Sequence, residues 1–100
     1  MKTYRSFADF YPFYLSQHQH PMCRRLHFIG SCAVLLSAMV ILGARRWDLI
    51  WLLPVLGYGF AWAGHCFFEK NRPATFQYPL YSLMGDWVMF GEILFGRIRL

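Results

Sequence analysis

Apolar residues fall into two long runs that are separated by a short polar connection. Residues 27–43 contain no charged side chain, and with the turn that Pro21 opens they predict a helix over residues 21–43, about 34 Å long. Residues 47–68 are nearly as apolar and predict a second helix over residues 47–69. Each helix is long enough to cross the hydrocarbon core of a bilayer. Because the connection is short, we expect the two to form an antiparallel hairpin.

Two weaker apolar segments flank this hairpin. Residues 1–19 carry aromatic side chains at positions 4, 7, 11 and 14, a spacing that places them on one face of an interfacial helix. Such a face suits the headgroup zone of a bilayer and also packing on the protein's own helices. Pro79 opens a third predicted helix over residues 79–97, which either spans the bilayer or lies partly in the interface. The predicted fold is an all-α integral membrane bundle in one domain, residues 1–100.

Composition and charge agree with a membrane protein. Hydrophobic residues make up 57% of the chain and charged residues 15%, a mixture too apolar for a small soluble domain. The net charge is +5, but the cations cluster at the ends of the apolar runs, so we expect no nucleic-acid binding. The three cysteines form no C-x-x-C motif, so we expect no disulfide framework.

The basic residues predict an orientation. Arg45 and Arg46 lie at the connected end of the hairpin, whereas six basic residues lie at the end that holds the N-terminus: Lys2, Arg5, Arg24, Arg25, Lys70 and Arg72. Positive charge accumulates on the cytoplasmic side of a membrane. We therefore expect a cytoplasmic N-terminus, in the inner membrane of a bacterium or in the endoplasmic reticulum of a eukaryote.

Polar groups converge at one level of the predicted bundle. His27 lies six residues into the first helix and His65 lies five residues before Lys70, so the two reach about 9 and 7.5 Å from the same end of the hairpin. His18 lies at the rim of this level, and Asp86 reaches it from the third helix.

Imidazoles and carboxylates are costly at the edge of a bilayer, so their presence predicts a function. Histidines with one carboxylate and open coordination positions suit ferrous iron that activates dioxygen, and zinc accepts the same donors. Glu69 shares a helix face with His65, four residues before it. Two other interpretations stay open, a haem between two histidines and polar groups that only hold the helices together. The predicted metal ligands are His18, His27, His65 and Glu69. His20 and Asp86 rank below them as further candidates.

Two motifs resemble a known membrane family. Residues 14–30 read YLSQHQHPMCRRLHFIG, in which one histidine precedes by nine residues a second histidine in the pattern H-x-I-G. Residues 64–74 read GHCFFEKNRPA and resemble G-H-x-x-F-E-x-x-x-P-A, and residues 79–90, PLYSLMGDWVMF, look like the short bacterial version. Over residues 11–96 the chain thus resembles the family that includes the fungal 2-hydroxy fatty acid dioxygenase of phytosphingosine breakdown, formerly a domain of unknown function.

The resemblance implies an iron(II)-dependent α-oxidation. A 2-hydroxy fatty acid would lose its carboxyl carbon with consumption of dioxygen and become a fatty acid one carbon shorter. The histidines at positions 18, 27 and 65 would be metal ligands or essential catalytic groups. Arg24, Arg25 or Arg72 would hold the substrate carboxylate. A chain of 100 residues offers little protein to enclose such a site, so a homodimer is a reasonable expectation.

Overall fold

The computed structural model describes residues 3–99, and the regular structure within that range is entirely helical. This confirms the predicted all-α class. Lys2, which contributed to the predicted orientation, lies outside the described residues, as do residues 1 and 100. The described part contains four α-helices: α1 (Phe7–Ser16), α2 (Pro21–Ala44), α3 (Leu52–Gly64) and α4 (Pro79–Leu94).

The second predicted helix changes its winding along its length. A 3-10 turn, Trp47–Leu49, leads into α3, and a π-helical turn, His65–Glu69, follows α3 directly. The whole run Trp47–Glu69 and the helix α2 are each long and apolar enough to cross a membrane.

Small residues allow α2 and α3 to approach closely. Gly64 faces Cys23, and a Cβ at Gly64 would lie 3.0 Å from the Cys23 sulfur. Toward the other end of the hairpin, Gly57 faces Val34. The order of these pairs, early in α2 with late in α3, shows that the two helices run antiparallel. Contact through small residues is the usual way for helices to pack in lipid.

The first helix is shorter than the predicted interfacial segment, residues 1–19. Ser6 caps α1 by accepting the backbone N–H of Asp9 through its hydroxyl. The helix ends at Ser16, and residues 17–20 turn the chain into α2. Its aromatic face packs on α4, where Phe10, Tyr14, Met89 and Ile93 are buried together. The face is therefore covered by the protein's own helix, one of the two environments that the sequence suggested.

The fourth helix ends three residues before the predicted boundary of residue 97. Its 16 residues span about 24 Å, less than the thickness of a bilayer core. Its two acidic side chains, Asp86 and Glu92, accept hydrogen bonds from the hydroxyls of Tyr14 and Tyr11 respectively. These bonds join α4 to α1, and the pair covers one end of the hairpin.

Candidate metal centre

Three histidines from three segments meet in the interior. His18 comes from the turn between α1 and α2, His27 from α2 and His65 from the start of the π-helical turn. The Nε2 atom of His18 lies 3.1 Å from Nε2 of His27 and 2.9 Å from Nε2 of His65. The side chains are buried, with 1%, 6% and 2% of their surface exposed. Cys23 completes the group, and the ligand atoms of all four residues lie within 4.8 Å of one another.

Local structure explains how two of these side chains reach the centre. The turn that carries His18 is held by Arg24, whose Nε donates to the His18 carbonyl at 2.6 Å. Beyond the π-helical turn, Lys70 adopts the left-handed conformation, φ 56°, and reverses the chain. This reversal brings Asn71 back to the ring of His65.

Each histidine has an acceptor at its other ring nitrogen. A carbonyl oxygen can only accept, so we assign the proton of each neutral ring to Nδ1. Asn71 presents its oxygen to His65, since its amide nitrogen donates to Gln17. Three unprotonated Nε2 atoms therefore face one another. The Nδ1 pairs are His18 with the Tyr14 carbonyl at 2.6 Å, His27 with the Cys23 carbonyl at 2.8 Å and His65 with Asn71 Oδ1 at 2.7 Å.

A divalent metal ion fits this arrangement. Burial, and next the neighbouring imidazoles of His27 and His65, lower the pKa of His18 well below its ordinary value, so a proton is a poor occupant of the space between the rings. Two imidazole nitrogens bound at ~2.1 Å to one ion lie ~3.0 Å apart when they subtend a right angle. The measured separations of 2.9 and 3.1 Å match that spacing. The second hydrogen bond of each ring is also what orients metal-binding histidines.

The structure does not bring Glu69 or His20 to the histidine group. The Glu69 carboxylate accepts the backbone N–H of His20. The His20 ring caps α2, because its Nδ1 accepts the N–H of Met22 at 3.1 Å, and it lies 5.2 Å from the Phe68 ring. These contacts tie the start of α2 to the end of the second apolar run. Both residues thus lie beside the centre and stabilise the frame around it.

Asp86 lies at the edge of the histidine group. Its Oδ1 is 4.0 Å from Nε2 of His27 and accepts a hydrogen bond from Tyr14, whose ring stacks on His18 at 4.0 Å. Arg25 and Arg72 are exposed at the same end of the hairpin. Within the described residues, the Asp86 carboxylate is therefore the acidic group nearest to the histidines. The two arginines lie at the outer surface.

Two adjoining cavities lead to the centre. A groove of about 280 Å³ runs between α2, α3 and α4, from His27 at one end to Leu53 at the other, with mostly apolar walls. A second cavity of about 10 Å³, the chamber, is lined by the three histidines and by residues of α3 and α4. Four residues line both spaces: His27, Tyr58, Ala61 and Asp86. A long apolar molecule in the groove would therefore have its end beside the imidazoles.

A comparison with known proteins assigns the family. A family model described as 2-hydroxy-palmitic acid dioxygenase Mpo1-like matches residues 4–98. The chain belongs to the Mpo1-like family. This confirms the resemblance that the two histidine motifs indicated. No curated protein and no solved structure matches the chain.

Two residues of this Mpo1-like centre were not expected from the sequence. Cys23 is fully buried and precedes His27 by four residues, a spacing that places both on one helix face and was available as a signal. Its sulfur lies 3.7 Å from Nδ1 of His27. Asn71 has no such signal, because its contact with His65 depends on the left-handed turn at Lys70.

Proposed function

We propose that this Mpo1-like protein is an iron(II)-dependent dioxygenase that shortens a 2-hydroxy fatty acid by one carbon. The observation that carries the proposal is the close approach of three histidine Nε2 atoms at the end of an apolar groove. Nε2 of His18 lies 3.1 Å from that of His27 and 2.9 Å from that of His65. The family description supports the substrate class and the use of dioxygen. Zinc accepts the same nitrogen donors but has no redox chemistry, so it would not activate dioxygen as iron(II) does.

The proposed ligands are His18, His27 and His65, which leave open positions for substrate and dioxygen. When bound, iron(II) would activate dioxygen and polarise the oxygens of the substrate. The protein residues keep the three rings in the tautomer that binds a metal, through the acceptors at each Nδ1. Cys23 lies within reach as a further donor. Glu69 is proposed to position the start of α2 through the His20 backbone.

The groove is proposed to hold the acyl chain. A dry cavity of ~150 Å³ binds benzene, so about 280 Å³ accommodates roughly ten carbon atoms. A palmitoyl-length chain would therefore fill the groove and extend beyond it between the helices. Its carboxylate and 2-hydroxyl would lie at the end of the groove beside His27 and Asp86. Asp86 offers a carboxylate acceptor for the substrate hydroxyl at that point.

The arginines are proposed to act on the carboxylate as the substrate enters. Arg25 and Arg72 are exposed at the histidine end of the hairpin, where a fatty acid headgroup in the same leaflet would meet them. Arg24 is already bonded to the His18 carbonyl and is proposed to hold the turn that carries this ligand.

The proposed reaction balances without another co-reactant. One 2-hydroxy fatty acid and one dioxygen give the shortened fatty acid, one carbon dioxide and one water. The bond between the carboxyl carbon and the hydroxyl-bearing carbon breaks, and the latter carbon becomes the new carboxyl group. The substrate loses four electrons, which is the number that one dioxygen accepts.

The other two interpretations, a haem between two histidines and polar groups that only hold the helices together, fit the geometry less well. A haem held by two of these histidines would need a space for the macrocycle between their rings. Nitrogens 2.9 and 3.1 Å apart beside a chamber of about 10 Å³ leave no room for it. A purely structural role would leave three lone pairs facing one another in a buried site without a cation, which is unfavourable.

Metal analysis combined with oxygen uptake tests the proposal. Protein purified without added metal should contain iron, and it should consume dioxygen when 2-hydroxypalmitate is added. Release of a fifteen-carbon acid would identify the reaction. A metal-free protein would contradict the proposal, and an iron-loaded protein that consumes no dioxygen would favour a metal-binding module without turnover.

A further inference from the structure

Ser82 carries a hydroxyl whose bonding is unexplained by the fold. Ser82 lies in α4, and only 3% of its surface is exposed. Among the buried nitrogen and oxygen atoms of the described side chains, its Oγ is the one without a hydrogen-bond partner. Its backbone N–H donates to the Tyr78 carbonyl in the ordinary helical way. A serine within a helix usually directs its hydroxyl to solvent or to the carbonyl of the preceding turn. A buried hydroxyl that does neither calls for an explanation, of which a bound water or other small ligand is one.

The chamber beside the histidines is where this ligand would lie. Ser82 lines the chamber together with His18, His27 and His65. The unpartnered Ser82 Oγ thus belongs to a residue in the wall of this space. A volume of about 10 Å³ is close to the smallest that holds one water molecule.

We propose that Ser82 donates a hydrogen bond to one small oxygen-containing ligand, a water molecule in the resting protein, held between its hydroxyl and the three-histidine centre. The inference rests on the proposed function, because a metal held by His18, His27 and His65 would supply the ligand's second contact. The acyl chain is too large for the chamber and stays in the groove. The chamber is therefore left for the small reactant, and Ser82 orients that reactant and not the fatty acid.

Binding of nitric oxide, a two-atom probe, tests this role apart from activity. The full chain is loaded with iron(II) without oxygen and titrated with nitric oxide, and the electron paramagnetic resonance signal of the complex gives the dissociation constant. Ser82→Ala should weaken binding by about 3- to 10-fold, the effect of one lost hydrogen bond, with iron content unchanged. Ser82→Thr keeps the hydroxyl and should bind as the wild type does. Ser37→Ala is the matched control, since Ser37 lies in α2 and lines neither the groove nor the chamber.

The outcomes separate this inference from the proposed function. Unchanged affinity in Ser82→Ala with full iron content would overturn the role of Ser82 and leave the metal centre standing. Weakened binding in Ser82→Thr as well would assign the effect to packing and would also overturn it. Absence of iron from the wild type would overturn the proposed function itself. Ser82→Cys, a near-isosteric weak donor, should weaken binding in the same direction and serves where the alanine variant does not fold.

Discussion

At the scale of single residues, hydrogen bonds behind the histidines decide what the centre can bind. Each ring has an oxygen beside Nδ1, which assigns the proton to that nitrogen and leaves Nε2 unprotonated and directed inward. Two of those oxygens are backbone carbonyls one helical turn before the ring, from Tyr14 and Cys23. The third belongs to the side chain of Asn71 and is the one that mutation can remove directly.

Replacement of Asn71 should weaken metal binding. Asn71→Ala removes the acceptor for His65 Nδ1, and loss of such an outer partner typically lowers metal affinity by roughly 10- to 100-fold. Competition with a chelator of known affinity measures the change. Asn71→Asp keeps an oxygen acceptor and should retain the affinity. Equal affinities in the alanine variant and the wild type would show that His65 does not need this bond.

His65→Ala should abolish bound metal while the protein stays folded and inserted. The substitution removes one of three inward nitrogens, whereas the helices retain their other contacts. Element analysis of purified protein measures the metal, and circular dichroism checks the helices. Arg45→Ala is the control, because Arg45 lies at the opposite end of the hairpin, just after α2. Full metal occupancy in His65→Ala would show that His65 is not a ligand.

At the scale of elements, the glycines of α3 divide into those that face a neighbour and those that do not. Gly57 lines the groove, and a Cβ there would lie 3.3 Å from a Val34 methyl group. A Cβ at Gly59, two residues later, would have no neighbour within 4 Å. The two positions therefore offer a matched pair for testing the groove.

Gly57→Leu should obstruct the groove, and iron content is the check that the tighter contact with Val34 of α2 leaves the centre intact. Position 57 lies eight residues before His65, about 12 Å along the helix, so iron content should stay unchanged. Oxygen uptake with 2-hydroxypalmitate should fall by about tenfold or more, a typical cost of a misfitted apolar pocket. A short 2-hydroxy acid such as 2-hydroxyoctanoate should lose less. Gly59→Leu should leave both substrates unaffected, and a similar loss in both variants would argue against the groove as the acyl site.

At the scale of the whole molecule, the described chain is elongated, 44 × 26 × 26 Å. Its long dimension is comparable to the ~40–45 Å thickness of a bilayer with its headgroups. The histidine centre lies toward one end, where α1 and α4 cover the hairpin. Arg45 and Arg46 lie at the other end. Because the centre lies near one end, the orientation of the chain in the membrane would determine from which side the substrate arrives.

The excess of basic residues at the histidine end predicts that this end faces the cytoplasm. In intact bacterial cells, a membrane-impermeant thiol reagent should label Arg45→Cys. It should label Thr3→Cys only after the cells are broken, because position 3 is exposed at the opposite end. Wild-type protein controls for the native cysteines. Labelling of Thr3→Cys in intact cells would reverse the orientation.

The amino-acid sequence alone determined the features that depend on local properties of the chain. Apolar length and the prolines at positions 21 and 79 predicted where the long helices lie, since helix formation and membrane partitioning act over consecutive residues. The spacing of His27 and His65 from one end of a hairpin placed them at the same level, because the helical rise is constant. The histidine motifs also identified the family, which the match over residues 4–98 confirmed.

Only the tertiary structure decided which polar groups join the centre and which stay beside it. Glu69 and Cys23 are each four residues from a histidine, yet the carboxylate bonds to the His20 backbone and the thiol is buried in the group. Asn71 reaches His65 through a left-handed residue, and Ser82 lines the chamber from another helix. These outcomes depend on a π-helical turn, a chain reversal and the packing of α4, which arise from contacts between residues distant in the chain and leave no local pattern.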